Sequence, residues 1–413
     1  MKLKLPPYLR VSYFIASRLR SGSIKGFSSL ITQIAIASIA FGLSVMIVSF
    51  AIFEGFKKNI QAKIFNFGGH IQATKHDSGN SYEEVPVSTS SVLYKHATTL
   101  PGVQHIQKYA RKAALLRTET EVQGVIFKGI STDYDTSSFK EMITQGRLPD
   151  FQKGDYASEI VISQRIANKL LLQLHDEVTI FFVQEPPRVR KLKIVGIYDS
   201  GIEDFDNQIV IGDIRLIQRI NNWADTLVGG FEIILSDFQE LEKRFFEIYD
   251  FMDYDIQIIK ITDLYSSFFD WFIMLNRNVV IFTFIILCVA SFNIISILLI
   301  LIMERTQMIG TLKALGATNT QIRYIFIFNG LRILIKGLLI GNSLAIGLCL
   351  IQKYTHIVPL NRENYYISFV PVEIDWLSIV FFNLLTISFV ALVILLPSFI
   401  ITRIEPIKSI RFS

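Results

Sequence analysis

Residues 28–53 read SSLITQIAIASIAFGLSVMIVSFAIF, and this stretch decides the fold. It contains no Asp, Glu, Lys or Arg. A helix needs about 20 consecutive apolar residues to cross the hydrocarbon core of a bilayer, so the stretch predicts a membrane-spanning helix. It is too long for the apolar core of a signal peptide, and no small-residue cleavage site follows it. We therefore expect a retained first span.

Three further apolar runs follow toward the C-terminus. Residues 279–303 and 377–402 also lack charged residues, whereas 324–352 contains Arg332 and Lys336. These two side chains lie one turn apart on one helix face. Such residues either extend toward the aqueous interface from near the membrane end or mark a functional site inside the membrane, and the first interpretation is favoured here. The sequence thus predicts four spans.

The composition supports a membrane protein. The mean hydropathy is +0.41, with 51% hydrophobic and 19% charged residues, whereas soluble domains contain about 25% charged residues. The net charge of +5 can indicate a nucleic-acid partner. Here, however, much of the basic excess flanks the apolar runs on one side, so we expect no such partner. The two cysteines, Cys288 and Cys349, both lie in apolar runs.

Basic residues also predict the orientation, because cytoplasmic loops carry an excess of Lys and Arg. Six basic residues and no acidic residue precede the first span: Lys2, Lys4, Arg10, Arg18, Arg20 and Lys25. The loop between spans two and three and the C-terminal tail are basic as well. We therefore place 1–27, 304–323 and 403–413 in the cytoplasm, with 54–276 and 353–376 outside.

The large outer segment, 54–276, predicts an α+β domain with helical stalks. Residues 54–67 and 262–277 continue the first and second spans as amphipathic helices, a geometry that suits mechanical transmission. Between them, strands are predicted at 70–74, 113–117, 122–127, 178–183, 192–198, 209–211, 231–235 and 256–261. Helices are predicted at 90–100, 163–172, 214–220 and 238–249. Irregularly spaced strands with scattered helices favour an α+β fold over a doubly wound sheet.

The sequence lacks the motifs of common active sites. The Gly-Lys dipeptide of a Walker A loop is absent, so the chain has no ATPase motif of that type. HExxH and GxSxG are absent too. His70 follows two glycines and precedes an apolar residue. A histidine in such a stretch more often starts a strand than binds a metal, so we interpret His70 as the start of a strand. We expect no catalytic residue, no metal and no cofactor bound by this chain.

The segment ERTQMIGTLKALGATNTQI, 304–322, predicts a short amphipathic helix at the cytoplasmic face. Met308, Ile309 and Leu312 form its apolar stripe. Gly316 is placed to end the helix, as glycines after a helix C-terminus do. Thr318 or Asn319 can cap the next helix.

This segment resembles the coupling loop of the MacB/FtsX/LolC–LolE class of ABC transporter permeases. Met308 departs from the family, which often has Glu there. The C-terminal ITRIEPIKSIRF resembles the end of the same family. The resemblance implies that the loop contacts a separate cytoplasmic ATPase, which binds ATP and Mg. The residues implied in that contact are Glu304, Arg305, Ile309, Gly310, Leu312, Lys313, Ala314, Leu315, Gly316 and Ala317.

Nearly the whole chain resembles the lipoprotein-releasing type within this class, including the N-terminal YFIASRLRS, the stalk and the GHI strand. The resemblance implies four spans with a MacB-like periplasmic core domain, in a bacterial inner membrane. It implies a permease that extracts lipoproteins for sorting to the outer membrane, working with a second permease subunit in a homo- or heterodimer. An FtsX-like scaffold that controls a wall hydrolase and a MacB-like efflux motor are the alternatives.

Two further sites follow from the resemblance. A substrate path between spans one and two would be lined by Phe41, Val45 and Val48. The connection 184–191, with Pro186, Pro187 and Arg188, stands where the LolC branch has a hairpin that hooks a periplasmic carrier. It is short here and is closer to the hookless LolE branch. We therefore expect weak or no carrier binding by this chain alone.

Overall fold

The structure is a computed structural model that describes residues 12–16, 27–76, 84–119, 121–152, 154–361, 365 and 367–398. The predicted tail 403–413, most of the predicted segment 1–27 and the end of the predicted fourth span, 399–402, lie outside these residues. The chain forms two compact units. The described parts of 1–57, 272–359 and 369–413 form the membrane unit, and those of 58–271 and 360–368 form the outer domain.

The helices, in chain order, are α1 Phe27–Gly68, α2 Val92–His96, α3 Ser137–Lys140, α4 Gln164–Leu170, α5 Glu203–Gln208, α6 Ile214–Asn221, α7 Leu241–Tyr249, α8 Ile261–Leu264, α9 Ser266–Glu304, α10 Thr306–Ala314, α11 Asn319–Thr355 and α12 Trp376–Ser398. The strands are β1 Ile71–Lys75, β2 Val87–Ser88, β3 Val103–Arg117, β4 Val122–Ile130, β5 Ile143–Gly146, β6 Glu159–Ser163, β7 Glu177–Phe182, β8 Arg188–Tyr198, β9 Ile209–Asp213, β10 Leu227–Val228, β11 Gly230–Leu235 and β12 Ile256–Lys260.

Among the described residues, four helices are long and apolar enough to cross a membrane: α1, α9, α11 and α12. The 42-residue α1 is about 60 Å long at about 1.5 Å per residue, roughly twice the thickness of the hydrocarbon core. The stalk predicted at 54–67 is therefore an unbroken continuation of the first span. The predicted fold class, four membrane helices with an α+β domain between the first and the second, is confirmed.

The second predicted stalk, 262–277, is not one helix. Tyr265 separates α8 from α9 with φ −116° and ψ 42°, which are not helical values. At the break the half-buried Tyr265 packs its ring edge-on against Phe205, with the ring centroids 5.3 Å apart. The amphipathic pattern alone could not show this break, because the apolar residues keep the same spacing on both sides of it.

The outer domain is built on a ten-stranded sheet whose middle closes on itself. The order is β12-β1-β11-β3-β4-β9-β6-β8-β5, and β7 pairs with both β3 and β8. The strands β3, β4, β9, β6, β8 and β7 therefore form a closed ring of six. Closure removes the unpaired edges that an open sheet exposes. The domain core combines buried residues of the ring strands with buried residues of β1, β11 and β12 and of the short helices.

Strand β3 is much longer than the predicted 113–117, because it begins at Val103. Polar residues interrupt its apolar pattern, yet several of them are buried and bonded. Gln107 donates from Nε2 to Glu232 Oε2 at 2.9 Å, and the Lys112 ammonium donates to Asn221 Oδ1 at 2.7 Å. Strands β5 and β6 and helix α5 were not predicted. Strand β6 is almost wholly buried, so it lacks the alternation that marks a half-exposed strand.

Close helix contacts hold the membrane unit together. A Cβ atom built on Gly337 of α11 would lie 2.7 Å from Ile39 Cβ, and one on Gly341 would lie 2.8 Å from the Ala40 carbonyl oxygen. Glycine thus permits α1 and α11 to approach closely, as small residues do between membrane helices. Asn342 and Asn383 exchange amide hydrogen bonds of 2.8 and 2.9 Å between α11 and α12.

This packing predicts unequal effects for two glycines of α11. We expect Gly341→Ala to lower stability by about 1 kcal/mol, because the added methyl group overlaps the α1 backbone. Gly347→Ala is the matched control, since a Cβ there meets nothing within 4 Å. Removing a helical glycine at Gly347 should leave stability equal or higher. The measurement is the unfolding temperature of the full chain in detergent, and equal effects of the two changes would contradict the packing.

Candidate functional site

The short helix α10 lies between the second and third membrane helices and is anchored by its apolar side. Ile309 is fully buried and Gly310 is buried. Leu312 packs against the core of the membrane unit. Arg305 is its N-cap residue, with φ −103° and ψ 17°. The apolar stripe therefore fixes this helix against the bundle and leaves its opposite side for other contacts.

The end of α10 is a complete Schellman motif. The Gly316 amide donates to the Lys313 carbonyl at 3.0 Å, and the Ala317 amide donates to the Leu312 carbonyl at 2.9 Å. Gly316 has φ +90°, a left-handed conformation that glycine adopts without strain. The helix thus ends at the glycine that the sequence singled out.

The next helix, α11, begins with a capping box. The Gln321 amide donates to Thr318 Oγ1 at 3.3 Å, and the Thr318 amide donates to Gln321 Oε1 at 2.9 Å. Of the two residues that the sequence offered as the cap, Thr318 is the one used. The turn between α10 and α11 is therefore fixed by backbone hydrogen bonds at the end of α10 and by side-chain to backbone hydrogen bonds at the start of α11.

The side of α10 away from the bundle is accessible. Leu315 is 79% exposed, and Glu304, Ala314 and Gly316 are exposed as well. Arg305, Lys313 and Ala317 are half-buried. Four predicted residues therefore belong to the anchoring side, and the other predicted residues lie at or near the surface. The anchoring residues are Ile309, Gly310, Leu312 and Ala317. Met303, which was not predicted, is 74% exposed next to them. Contact of this surface with an ATPase stays a prediction.

The three residues of the expected substrate path differ in exposure. Phe41 is 71% exposed, whereas Val45 and Val48 are half-buried and Val48 packs against the core of the membrane unit. On the same helix, Ser38 accepts a hydrogen bond of 2.6 Å from Asn293 Nδ2 of α9. The first and second spans thus pack against each other within one chain, and Phe41 points out of that bundle.

The hairpin at the position of the carrier hook of the LolC branch is shorter than predicted. Strand β8 begins at Arg188, so the connection is 183–187 and not 184–191. The longer loop was inferred because the second strand was predicted to begin at Leu192, but the basic residues before it already belong to β8. Arg188 donates to the Arg219 carbonyl at 3.0 Å and to Asn222 Oδ1 at 3.2 Å, at the end of α6. Pro186 and Pro187 form the exposed tip.

Arg332 lies near residues that precede the first span. Its guanidinium is 3.4 Å from the Ala16 carbonyl oxygen, to which it donates. The contact puts Arg332 beside a residue of the segment 1–27 that the sequence places in the cytoplasm, and its depth in the membrane stays a prediction. Lys336 is half-buried on the same helix.

His70 immediately precedes β1, and its ring accepts a hydrogen bond. The Leu235 amide donates to His70 Nδ1 at 2.8 Å. Burial lowers the pKa of His70 from 6.5 to about 4. Within the described residues, no group of three or more His, Cys, Asp or Glu side chains is placed to hold a metal ion.

Family models match both halves of the chain. The FtsX-like permease C-terminal model matches residues 280–406, and the MacB-like periplasmic core domain model matches residues 32–237. Among solved structures, the periplasmic region of MacB from Actinobacillus actinomycetemcomitans is similar with a TM-score of 0.34 and 11% identity, covering 50% of this chain and 95% of that one.

Similarity to curated proteins extends over nearly the full length. The lipoprotein-releasing system transmembrane protein LolC of Neisseria meningitidis is 23% identical over 95% of this chain and 97% of its own. The protein LolE of Haemophilus influenzae is also 23% identical, over 96% and 98%. Together with the four membrane helices, the intervening α+β domain and the two family models, these matches show that the chain belongs to the LolC/LolE type of lipoprotein-releasing ABC transporter permeases, within the MacB/FtsX superfamily.

Proposed function

We propose that this chain is the permease subunit of an ABC transporter that extracts lipoproteins from the inner membrane for sorting to the outer membrane. The observation that carries the proposal is end-to-end similarity to lipoprotein-releasing proteins, covering 95% of this chain and 97% of the relative. A separate cytoplasmic ATPase, which binds ATP and Mg, supplies the energy. A second permease subunit, identical or different, completes the transporter.

In this proposal each part of the chain has its own role. The exposed side of α10 around Leu315 docks the ATPase, and the buried Ile309 passes its movement to the membrane helices. Helix α1 continues without a break from the first span to Gly68, so it carries movement along its length. The acyl chains of the lipoprotein enter beside Phe41, which points out of the helix bundle. This chain binds, positions and moves substrate, and performs no covalent chemistry.

The proposal requires both termini in the cytoplasm and the large domain in the periplasm. Single cysteines at the exposed positions Lys140 and Glu185 are expected to react with an impermeant thiol reagent when only the outer membrane is permeabilised. A cysteine at Asn319 should react only after lysis, because the basic loop stays inside. Cys288 and Cys349 are replaced by Ala in the background. Labelling of Asn319→Cys in intact cells would overturn the orientation.

The function is tested by reconstitution. The purified chain, with its co-purifying ATPase and permease partner, is placed in proteoliposomes that contain triacylated lipoproteins. ATP should drive lipoprotein release, and an ATPase with an inactivated Walker A lysine should not. Activation of a wall hydrolase without release would support the FtsX-like alternative. Export of a soluble compound without release would support the MacB-like one.

A further inference from the structure

The end of helix α1 is held by a buried lysine that no sequence motif indicated. The last carbonyl groups of a helix have no partner within the helix. Here the Phe65 carbonyl accepts from the Gly69 amide at 2.8 Å, and the Asn66 carbonyl accepts from the Tyr134 hydroxyl at 3.0 Å. The Phe67 carbonyl accepts from the Lys128 ammonium at 2.6 Å. The last turn of α1 is therefore tied to side chains of the outer domain.

The Lys128 side chain is buried, and its ammonium donates three hydrogen bonds. The residue is 3% exposed, and its ammonium also donates to Glu232 Oε1 at 2.6 Å and to the Tyr134 hydroxyl at 2.9 Å. All three ammonium hydrogens thus have acceptors. Glu232 is 1% exposed, and its second oxygen accepts from Gln107 Nε2 at 2.9 Å. The cluster is complete, with no water required.

Stability alone does not account for such a pair. Removing two charges from water carries a large desolvation cost, and apolar replacements of buried ion pairs are often neutral or stabilising. The position of Lys128 supplies another reason. Its charge lies at the negative end of the α1 dipole, against carbonyl oxygens that an apolar side chain could not satisfy.

Helices α8 and α9 lead from the outer domain back to the second span, and we call them the returning helix. Its first residues contact the end of α1. A Cβ atom on Gly68 would lie 2.6 Å from Ile261 Cδ1, so α8 contacts the end of α1 directly. Phe67 packs on Phe205 with ring centroids 4.5 Å apart, and Phe205 packs on Tyr265, where the returning helix breaks. We call this set, Phe67, Gly68, Ile261 and Tyr265, the stalk junction.

We propose that Lys128 is a positioning residue that clamps the last turn of α1 into the stalk junction, so that movement of α1 reaches the domain instead of fraying the helix end. This inference rests on the proposed transport function and names a residue required for coupling. Lys128 touches no substrate. Without Lys128, the ATPase should still dock and hydrolyse ATP, but less lipoprotein should be released per ATP hydrolysed.

The test separates coupling from stability with three variants in the full transporter. Lys128→Met leaves the buried Glu232 carboxylate without its ammonium partner, so this variant should be unstable. Lys128→Met with Glu232→Gln removes both charges and keeps an acceptor for Gln107, so it should regain most of the lost unfolding temperature, the remaining deficit coming from the unbonded Phe67 carbonyl. Tyr134→Phe removes only a hydroxyl group and should fold. Lys191→Met is the control, because it breaks an exposed sheet ion pair, with Glu177, away from any helix end.

Two readouts are required. In the paired variant, amide hydrogen exchange of residues 65–70 should be at least tenfold faster than in the parent, and lipoprotein released per ATP should fall at least tenfold with hydrolysis retained. Tyr134→Phe should show both effects to a smaller degree, and Lys191→Met neither. Parental exchange and coupling in the paired variant and in Tyr134→Phe would overturn the clamp. If the parent releases no lipoprotein, the proposed function fails, while the exchange measurement still decides the clamp.

Discussion

Gly316→Val is expected to abolish co-purification of the ATPase with this chain, and ATP-driven release with it. Gly316 has φ +90°, where a β-branched residue is strained by about 1–3 kcal/mol. A Cβ at this position meets nothing within 4 Å, so no steric clash contributes. The strain is relieved by giving up the Schellman bonds to Lys313 and Leu312. Leu315, the most exposed apolar residue of the turn, is then displaced.

Matched controls separate docking from folding. Gly316→Asn should retain most of the binding, because asparagine tolerates the left-handed conformation better than other side chains. Gly347→Val adds the same side chain at an open helical position of α11 and should bind normally. Co-purification is measured by pull-down with a tag on this chain, beside its unfolding temperature. Full ATPase recovery with Gly316→Val would show that the turn is not part of the docking surface.

The spans and the coupling helix could be predicted because local sequence encodes them. Apolar length fixes a membrane helix, and Gly316 and Thr318 fix a helix end and a helix start within a few residues. The ring closure of the domain could not be predicted in the same way. It depends on β7 pairing with β3, some 65 residues earlier in the sequence, and on which of several strands lie side by side.

The buried cluster shows where sequence patterns mislead. Lys128 and Glu232 are each a charged residue in a strand, which usually predicts an exposed face. A signal was nevertheless present, because each interrupts an apolar run, VIFKGI and GGFEIIL. Two opposite charges inside two apolar strands indicate a buried pair. The exposed apolar positions were harder still to predict, because the local pattern does not show which apolar residues, such as Leu315 and Phe41, face away from the rest of the chain.

Acidification is expected to weaken the outer domain through His70. Burial lowers the pKa of His70 to about 4 from 6.5, since the ring is enclosed beside Phe65, with centroids 4.4 Å apart, and Nδ1 accepts from the Leu235 amide. The folded state therefore favours the neutral ring. This contribution is fully present above about pH 6.5 and is lost as the pH falls toward 4. At pH 5 the loss is about 2 kcal/mol.

The measurement is thermal unfolding of the full chain in detergent at pH 7.5 and pH 5. His70→Asn keeps an acceptor for the Leu235 amide but cannot gain a proton, so it should lose about 2 kcal/mol less than the parent on acidification. His76→Asn is the matched control, an exposed histidine just after the same strand, and should respond to pH like the parent. Equal pH responses of the parent and His70→Asn would contradict the assignment. Because the His70 carbonyl also accepts from the Ile261 amide at 3.0 Å, protonation should loosen the start of the returning helix first.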